Sequence, residues 1–504
     1  MLAAVQASIA GKPRPKPAAY QPKRSVDRRV VLGGGAAAVA VAGAGGWWAL
    51  RRGSAPGDSV AVMPFANLSG DPAQAYFSDG IAEELRDALT RIVGLKVAAR
   101  TSSELMRDVD AATAAAKLGV ANILTGSVRR GAGTIRINAE LVDGQTGLAR
   151  WSQAYDRGIG DALAIQTNIA DRVADALQIA LGRAQKALLS IGGTTNTAAQ
   201  DAFLRGRNLV RQNKVDLGLK QFDAAIAADP AYAMAHALRA SYTVDIAQRT
   251  LSGAALRSKL SEAETEARRA MALAPGWGLP FSVLGIVLQI SLDLRGARDA
   301  FAAAYKALPG DASVLRTKSG FDSLMGDDDA IALCQRAQTL DPLRPGNPLN
   351  LANVQLNLGR FDDAIAAARD GLARFPNNAE ALVTLVQALL AKGRSGEAIK
   401  AAVLVPPDNF DRPFLESVAT AATDRAASDR ALATLVEKFG DVAQYQIAEA
   451  HAWRHEPDLA FAAIARAWDL LDPGLLQLKT DPLLAPLRPD PRFGEWLRKI
   501  GFPR

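Results

Sequence analysis

Pro275, Pro309, Pro342 and Pro376 stand 34, 33 and 34 residues apart, and each closes an alanine-rich stretch. Pro230 closes a similar stretch one longer step earlier, 45 residues before Pro275. A fixed period of this length restricts a chain to few architectures. It holds two short helices and two turns, and the proline marks where the second helix stops, because proline lacks the amide and clashes with the preceding turn. A unit this small cannot bury its own apolar face, so neighbouring units must stack into a superhelix.

The stretch from Gly278 to Pro309 shows the repeat most fully, with Phe281, Leu284, Gly285, Leu288, Ala297, Phe301, Ala304 and Pro309 in order. These resemble the aromatic, Leu-Gly, large-apolar, Ala, Phe, Ala and Pro positions of the tetratricopeptide repeat. The stretch ending at Pro230 keeps Gly206, Leu209, Phe222 and Ala225. An all-α tetratricopeptide solenoid is expected over residues 198–406, with an insertion near Gln248–Leu260. Degenerate helical repeats and a C-terminal cap are expected over 407–504, the cap closing with Phe493, Trp496, Leu497 and Ile500 on one helical face.

A superhelix of this kind lines its concave face with the first helix of each repeat. Asn350, Asn353 and Asn357 fall on one face of such a helix, and Thr384 and Gln387 take corresponding places in the next. Amides both donate and accept, so this row is a candidate site for an extended peptide backbone. The competing reading is an ordinary wetted polar face.

Upstream, residues 57–184 read differently. SVAVMPF is a short apolar run ended by turn formers, and TIRINAELVD alternates Ile135, Ile137, Ala139 and Leu141 as a half-buried strand does. Helical spacing governs 75–94, 102–119 and 161–181. The resulting order, β-α-β-α-β-β-β-α, predicts an α/β sandwich domain. The segments AVMPFANLSGDPAQAYFSDGIAEELRDALTRIVGLKVAARTSS, LGVANILTGSVRR and INAELVDGQTGLARWSQAYDR resemble the TolB-amino-terminal-like domain. Pro64, Phe65, Asn67, Gly70, Asp79 and Gly80 carry its motifs. The resemblance implies a place between a transmembrane helix and tetratricopeptide repeats, as in CadC-type membrane regulators and proteins associated with class III adenylate cyclases. Asp71, Asp79, Glu83 and Glu84 could form an acid–base or cation site. The structural reading is turn formation, with Asp79 as a helix N-cap. GGTTNT at 192–197 reads as a flexible joint.

Val30 to Leu50 is 21 residues without a charge, about 31 Å as a helix and long enough to span a bilayer. Trp47 and Trp48 lie at its far end and Arg51 and Arg52 follow, as interface and stop residues do. The net charge of +7 sits mostly ahead of it, because residues 1–29 carry seven basic side chains against Asp27. That places the basicity in a Pro-rich cytoplasmic tail and argues against nucleic-acid binding by the remainder. The expectation is a single-pass inner-membrane protein with its bulk in the periplasm. Two alternatives stand beside it: a cleaved signal, since Asp27-Arg28-Arg29-Val30-Val31-Leu32 resembles a twin-arginine export sequence, and a Gly/Ala spacer.

Apart from the carboxylates of Asp71, Asp79, Glu83 and Glu84, which leave an enzyme within the α/β unit as a further alternative, nothing in the sequence points to catalysis or a cofactor. Phosphate-loop, nucleophile-elbow and zinc-protease motifs are absent. The single cysteine, Cys334, is expected in the core. His451 and His455 share a helical spacing but have no carboxylate between them. A protein or peptide partner is therefore expected, and the chain reads as a scaffold or sensor arm. The other reading is a signalling or transcription-regulator fragment whose cyclase, winged-helix or other effector module lies upstream.

Overall fold

The computed structural model describes residues 57–131 and 133–502. The expected tail and the expected span at 30–50 lie outside the described residues. Among the described residues no helix is long and apolar enough to cross a membrane.

Six strands form one sheet: β1 (Ser59–Val62), β2 (Ala66–Asn67), β3 (Lys96–Val97), β4 (Asn122–Arg130), β5 (Thr134–Asp143) and β6 (Ala149–Gly158). The order is β3-β1-β4-β5-β6, and β2 pairs with β4 beyond β1. The β1–β3, β1–β4 and β2–β4 pairings are parallel, whereas β4–β5 and β5–β6 are antiparallel. Helices α1 (Ala75–Leu89) and α4 (Ala162–Ala176) cover one face, burying Ile81, Leu85, Ile165 and Ile169 against Val60, Val62, Ile135 and Ile137. Short helices α2 (Arg100–Glu104) and α3 (Ala111–Leu118) cover part of the other face, over Ala61, Met63 and Ile123.

The sequence expectation of one helix over 102–119 is corrected. The chain leaves α2 after Glu104, and Asp110 adopts an extended backbone so that its carboxylate accepts the Thr113 amide at 2.9 Å and starts α3. A capping aspartate competes with helix continuation by satisfying an amide that the first turn leaves free. Gly119 ends α3 in the left-handed conformation, at φ 67°. Helix α1 ends at Leu89 and α4 at Ala176, each earlier than the periodicity suggests.

After α5 (Arg183–Leu188), eight helical hairpins follow among the described residues. They are α6/α7 (Thr197–Arg211, Val215–Ala228), α8/α9 (Ala233–Thr250, Gly253–Leu273), α10/α11 (Gly278–Ile290, Leu294–Ala307) and α12/α13 (Ala312–Met325, Asp329–Leu340). Then come α14/α15 (Asn347–Asn357, Phe361–Arg374), α16/α17 (Ala379–Ala391, Ser395–Ala402), α18/α19 (Asp411–Thr420, Arg425–Phe439) and α20/α21 (Gln444–Trp453, Pro457–Leu470). Pro230, Pro275, Pro309, Pro342 and Pro376 each stand two residues beyond the second helix of a hairpin, as the period required. Close helix approach explains Gly285: a Cβ there would lie 2.7 Å from the Phe301 ring.

Two features of the array were not expected. The extra residues before Pro275 do not loop out. They lengthen α8 and α9 to 18 and 21 residues, and Arg257 on α9 donates to the carbonyls of Trp468 and Asp469 at the end of α21. The superhelix thus curls until its second hairpin touches its eighth. The segment after α21 does not simply cap the end either. Its two 3-10 turns, Pro473–Gln477 and Pro482–Leu487, run back into the concave side before α22 (Pro491–Ile500). Asp472, Asp481 and Asp490 cap these three elements. Lys479 reaches the Met325 carbonyl at 3.3 Å and Thr480 approaches Asn357 at 3.5 Å.

Residues 192–197 are not a loose joint. Asn196 caps α6 and donates to the Ala228 carbonyl at 2.8 Å, while the Thr194 hydroxyl binds Asp229 at 2.5 Å. The apolar core of the sheet continues into the first hairpins through Phe203, Leu204, Phe222, Tyr232 and Trp277.

Candidate functional site

The first helices α10, α12, α14 and α16 face a concave cavity of about 810 Å³, closed on its far side by α18 and the returning C-terminal segment. Asn350, Asn353, Asn357, Thr384 and Gln387 all line it. The face expected from the i, i+3, i+7 spacing is the inward face of α14, which opens with Pro348 in its first turn.

The amides are not equally free. The Thr384 hydroxyl donates to Asn353 Oδ1 at 2.5 Å. Asn357 donates from Nδ2 to the Ser323 hydroxyl at 3.0 Å. Gln387 is buried and donates from Nε2 to Glu449 Oε1 at 2.8 Å. Asn350 alone of the five has no hydrogen-bond partner for its side chain among the described residues. The row is therefore cross-braced at its inner end and open at Asn350.

Residues that sequence reasoning missed give the cavity its charge. Among the described residues, Glu380 and Asp411 line it with a single cation, Arg316. Burial, and then the neighbouring charge of Glu380, push Asp411 up to about 6. Phe321, Phe410 and Leu476 supply apolar wall. Glu380 lies within the expected repeat region of 198–406, but Asp411 and Leu476 lie beyond it. No periodic register assigned them a face.

The motif residues of the α/β unit make internal contacts. Phe65 is buried and packs where a Cβ on Gly126 would clash, 2.8 Å from its ring. Pro64 is half-buried just ahead of it. Asn67 accepts the Ser69 amide and donates to the Asp71 carbonyl, and Gly70 takes the left-handed conformation of the turn at φ 77°. Asp79 is not the expected N-cap. Helix α1 begins four residues earlier, after Gln74, and Asp79 pairs with Arg107 at 2.8 Å. Gly80 lets α1 approach α6, since a Cβ there would lie 2.6 Å from Leu204 Cδ2.

Glu83 and Glu84 join the sheet unit to the solenoid. Glu83 pairs with Arg100, Arg207 and Arg211. Burial raises its pKa, but those guanidiniums outweigh it and hold the carboxyl at about 2. Glu84 accepts from Gln166 at 2.6 Å, Gln200 at 3.1 Å and Tyr232 at 3.2 Å, and burial pushes its pKa up. Both are committed to internal partners, which leaves no pair for acid–base work there. A second contact lies at the far edge, where Ser102 donates to Asp341 at 2.7 Å and Ala99 donates to the Leu340 carbonyl at 2.7 Å.

The remaining candidates have ordinary places. His455 lies past the end of α20 in a left-handed conformation, so it does not share a face with His451, which contacts Glu456 at 2.6 Å. Among the described residues no group of three or more His, Cys, Asp or Glu side chains could hold a metal ion. Cys334 is buried, and burial pushes its thiol up to about 11.

The array of helical hairpins is a helical-repeat solenoid. The tetratricopeptide repeat model matches residues 203–242 and 349–410. Two curated relatives are similar to parts of the chain. "Putative adenylate cyclase 3" of Rhizobium meliloti (strain 1021) is 37% identical over 184 residues, 36% of this chain and 31% of that protein. "Cellulose synthase operon protein C" of Pseudomonas fluorescens (strain SBW25) is 33% identical over 135 residues, 27% of this chain and 10% of that protein. The chain thus spans less than a third of either relative. Among solved structures, a thermophilic tetratricopeptide-repeat protein from Thermus thermophilus has 21% identity and a TM-score of 0.32. That match covers 38% of this chain and all of that one, 100%.

Proposed function

We propose that the chain is a peptide-binding scaffold arm, anchored in the inner membrane through residues 30–50 and working in the periplasm. The observation that carries the binding part is the concave cavity, where the open amide of Asn350 stands with Glu380, Asp411 and an apolar wall. That chemistry suits an extended segment of a partner protein carrying a basic side chain beside an apolar one. The uncharged stretch, its tryptophan pair and its flanking arginines support the anchor. The motifs of residues 57–184 support a TolB-amino-terminal-like unit between anchor and repeats.

Isothermal titration of the full chain in detergent tests the binding, using extended peptides that alternate Lys and Leu against a Glu/Leu control. Binding of the basic series, weakened in Asn350→Ala and in Asp411→Asn, is expected. Equal binding of both series removes the reading. Topology is tested separately, with a periplasm-active reporter fused after residue 190 and the membrane fraction sized. An active, full-length, membrane-bound product supports the anchor. A shortened soluble product replaces it with a cleaved signal, and an inactive reporter overturns export.

A second reading has one observation in its favour: the first relative is named as a putative adenylate cyclase and is longer than the matched segment. On that reading the chain is the sensory arm of a signalling protein whose effector module is supplied elsewhere. A groove ligand that alters the output of a co-expressed effector would favour it.

A further inference from the structure

The sheet unit and the solenoid do not meet flush. Between their two points of contact lies a second cavity, of about 430 Å³, and six of the residues lining it are arginines. Arg86, Arg91 and Arg100 enter from the sheet unit, while Arg207, Arg316 and Arg344 enter from the hairpins. The carboxylates lining the same space are Glu83, Asp87, Asp311 and Asp341, so the lining carries an excess of two positive charges.

Those carboxylates are largely committed. Arg207 pairs with both Glu83 and Asp87. Asp341 accepts from the Ser102 amide and hydroxyl, and Asp311 caps α12 by accepting from Ser313 and Val314. Four arginines remain without an ion-pair partner within 4 Å among the described residues: Arg86, Arg91, Arg316 and Arg344. Two are more than nine-tenths buried, Arg86 at 5% and Arg91 at 7% exposure. Arg91 donates from Nη1 to the Leu188 and Leu189 carbonyls and lies over Trp277, but its Nε and Nη2 have no acceptor. Arg86 donates from Nη2 to the Val62 carbonyl and leaves Nε unanswered, and Arg344 Nε is unanswered as well. Burial pushes Arg91 down to about 10, so a cation held there without an anion is disfavoured by its surroundings.

A buried guanidinium with free donors is stabilised most by an oxyanion that accepts two parallel hydrogen bonds. We propose that this cleft binds a small phosphate monoester, gripped jointly by Arg86 and Arg91 of the sheet unit and Arg316 and Arg344 of the hairpins. The excess of two charges matches the dianion, and the volume lies within the range of small-molecule sites. Because the grip comes from both sides, the ligand ties the sheet unit to α12 and the loop after α13. The cleft is a cavity distinct from the peptide groove, and the two share only one lining residue. Arg316 lines both cavities, whereas Arg344 and Arg91 line only this one.

The test is isothermal titration and thermal unfolding of the full chain in detergent, with three probes: inorganic phosphate, ribose 5-phosphate and adenosine 5′-monophosphate. Sodium chloride matched for ionic strength and citrate serve as controls. Saturable binding of at least one phosphate probe, with a raised Tm, is expected. Arg344→Gln should weaken it by about tenfold while the ligand-free Tm stays near that of the unaltered chain, since this side chain makes no ion pair. Arg316→Gln should behave alike and serves if Arg344→Gln does not fold. Tighter binding of adenosine monophosphate than of ribose phosphate would assign the source as a nucleotide, and equal binding as a sugar phosphate. No saturable phosphate binding, binding unchanged in both variants, or binding of citrate in preference to every phosphate would overturn the proposal.

Discussion

Arg207, on the first helix of the solenoid, forms an ion pair with Glu83, on the first long helix of the sheet unit, across a contact that buries both side chains. The two residues are far apart in sequence, and the pair is flanked by Arg100 and Arg211 on the same carboxylate. It is the polar half of a junction whose apolar half is Gly80 against Leu204.

Replacing Glu83 by Gln removes the anion shared by Arg100, Arg207 and Arg211, leaving Arg207 with Asp87, Arg100 with Glu104 and Arg211 without an ion pair among the described residues. A loss of stability is expected, smaller than for a buried pair whose remaining charge has no other partner. The pH dependence follows in sign. The folded carboxyl sits at about 2, below its ordinary 4.5, so its contribution is present above pH 4.5 and is lost as pH falls through about 2. Urea midpoints at pH 7 and pH 3 for both proteins check it. The difference between them should shrink at the lower pH.

Glu449 behaves oppositely. It is buried, and burial, then the carboxylate of Asp481, hold its pKa well above the ordinary value. Stability from such a group is present below the unfolded value near 4.5 and is lost as pH rises through the folded value. Because Gln387 and Tyr445 join the same network, the C-terminal segment should loosen with rising pH. Glu449→Gln should reduce that loss, which urea midpoints between pH 5 and pH 8 will show. A steeper decline in the variant would contradict it.

Gly80→Val should strain the contact between the two units where their shared apolar core passes through Leu204. The added atoms meet Leu204, which is fully buried, and overpacking of this kind costs about 1–3 kcal/mol. Limited proteolysis around residues 190–197 should then accelerate, whereas an Ala at exposed Gly396 should change nothing.

Asp411 predicts how the groove responds to acid. Its carboxyl is pushed up to about 6 by burial and by Glu380, so a basic peptide should bind less tightly as pH falls through that value. Asp411→Asn should bind more weakly at pH 7.5 and lose most of the pH dependence. Titration at pH 5 and pH 7.5 provides the check.

Much of the local structure was legible in the sequence. The proline period located the hairpins because helix termination is a short-range effect of one residue's ring and missing amide. The alternation of Ile135, Ile137, Ala139 and Leu141 located β5 because successive side chains point to opposite faces of a strand. The inward face of α14 followed from spacing alone. Asp79 was misplaced for a related reason. It has the chemistry of an N-cap, but the chain upstream of it had already turned helical at Ala75, and its carboxylate found Arg107 instead.

What the sequence by itself determined, then, is the identity and order of the elements, since period, alternation and capping act over a few residues. The tertiary structure alone decided the closure of the superhelix through Arg257, the return of the C-terminal turns into the concave side, and the docking of the sheet unit through Glu83, Glu84 and Asp341. These contacts join residues more than a hundred positions apart. Each depends on how the small rotation between hairpins accumulates along the array, a sum over the whole solenoid that no local stretch encodes.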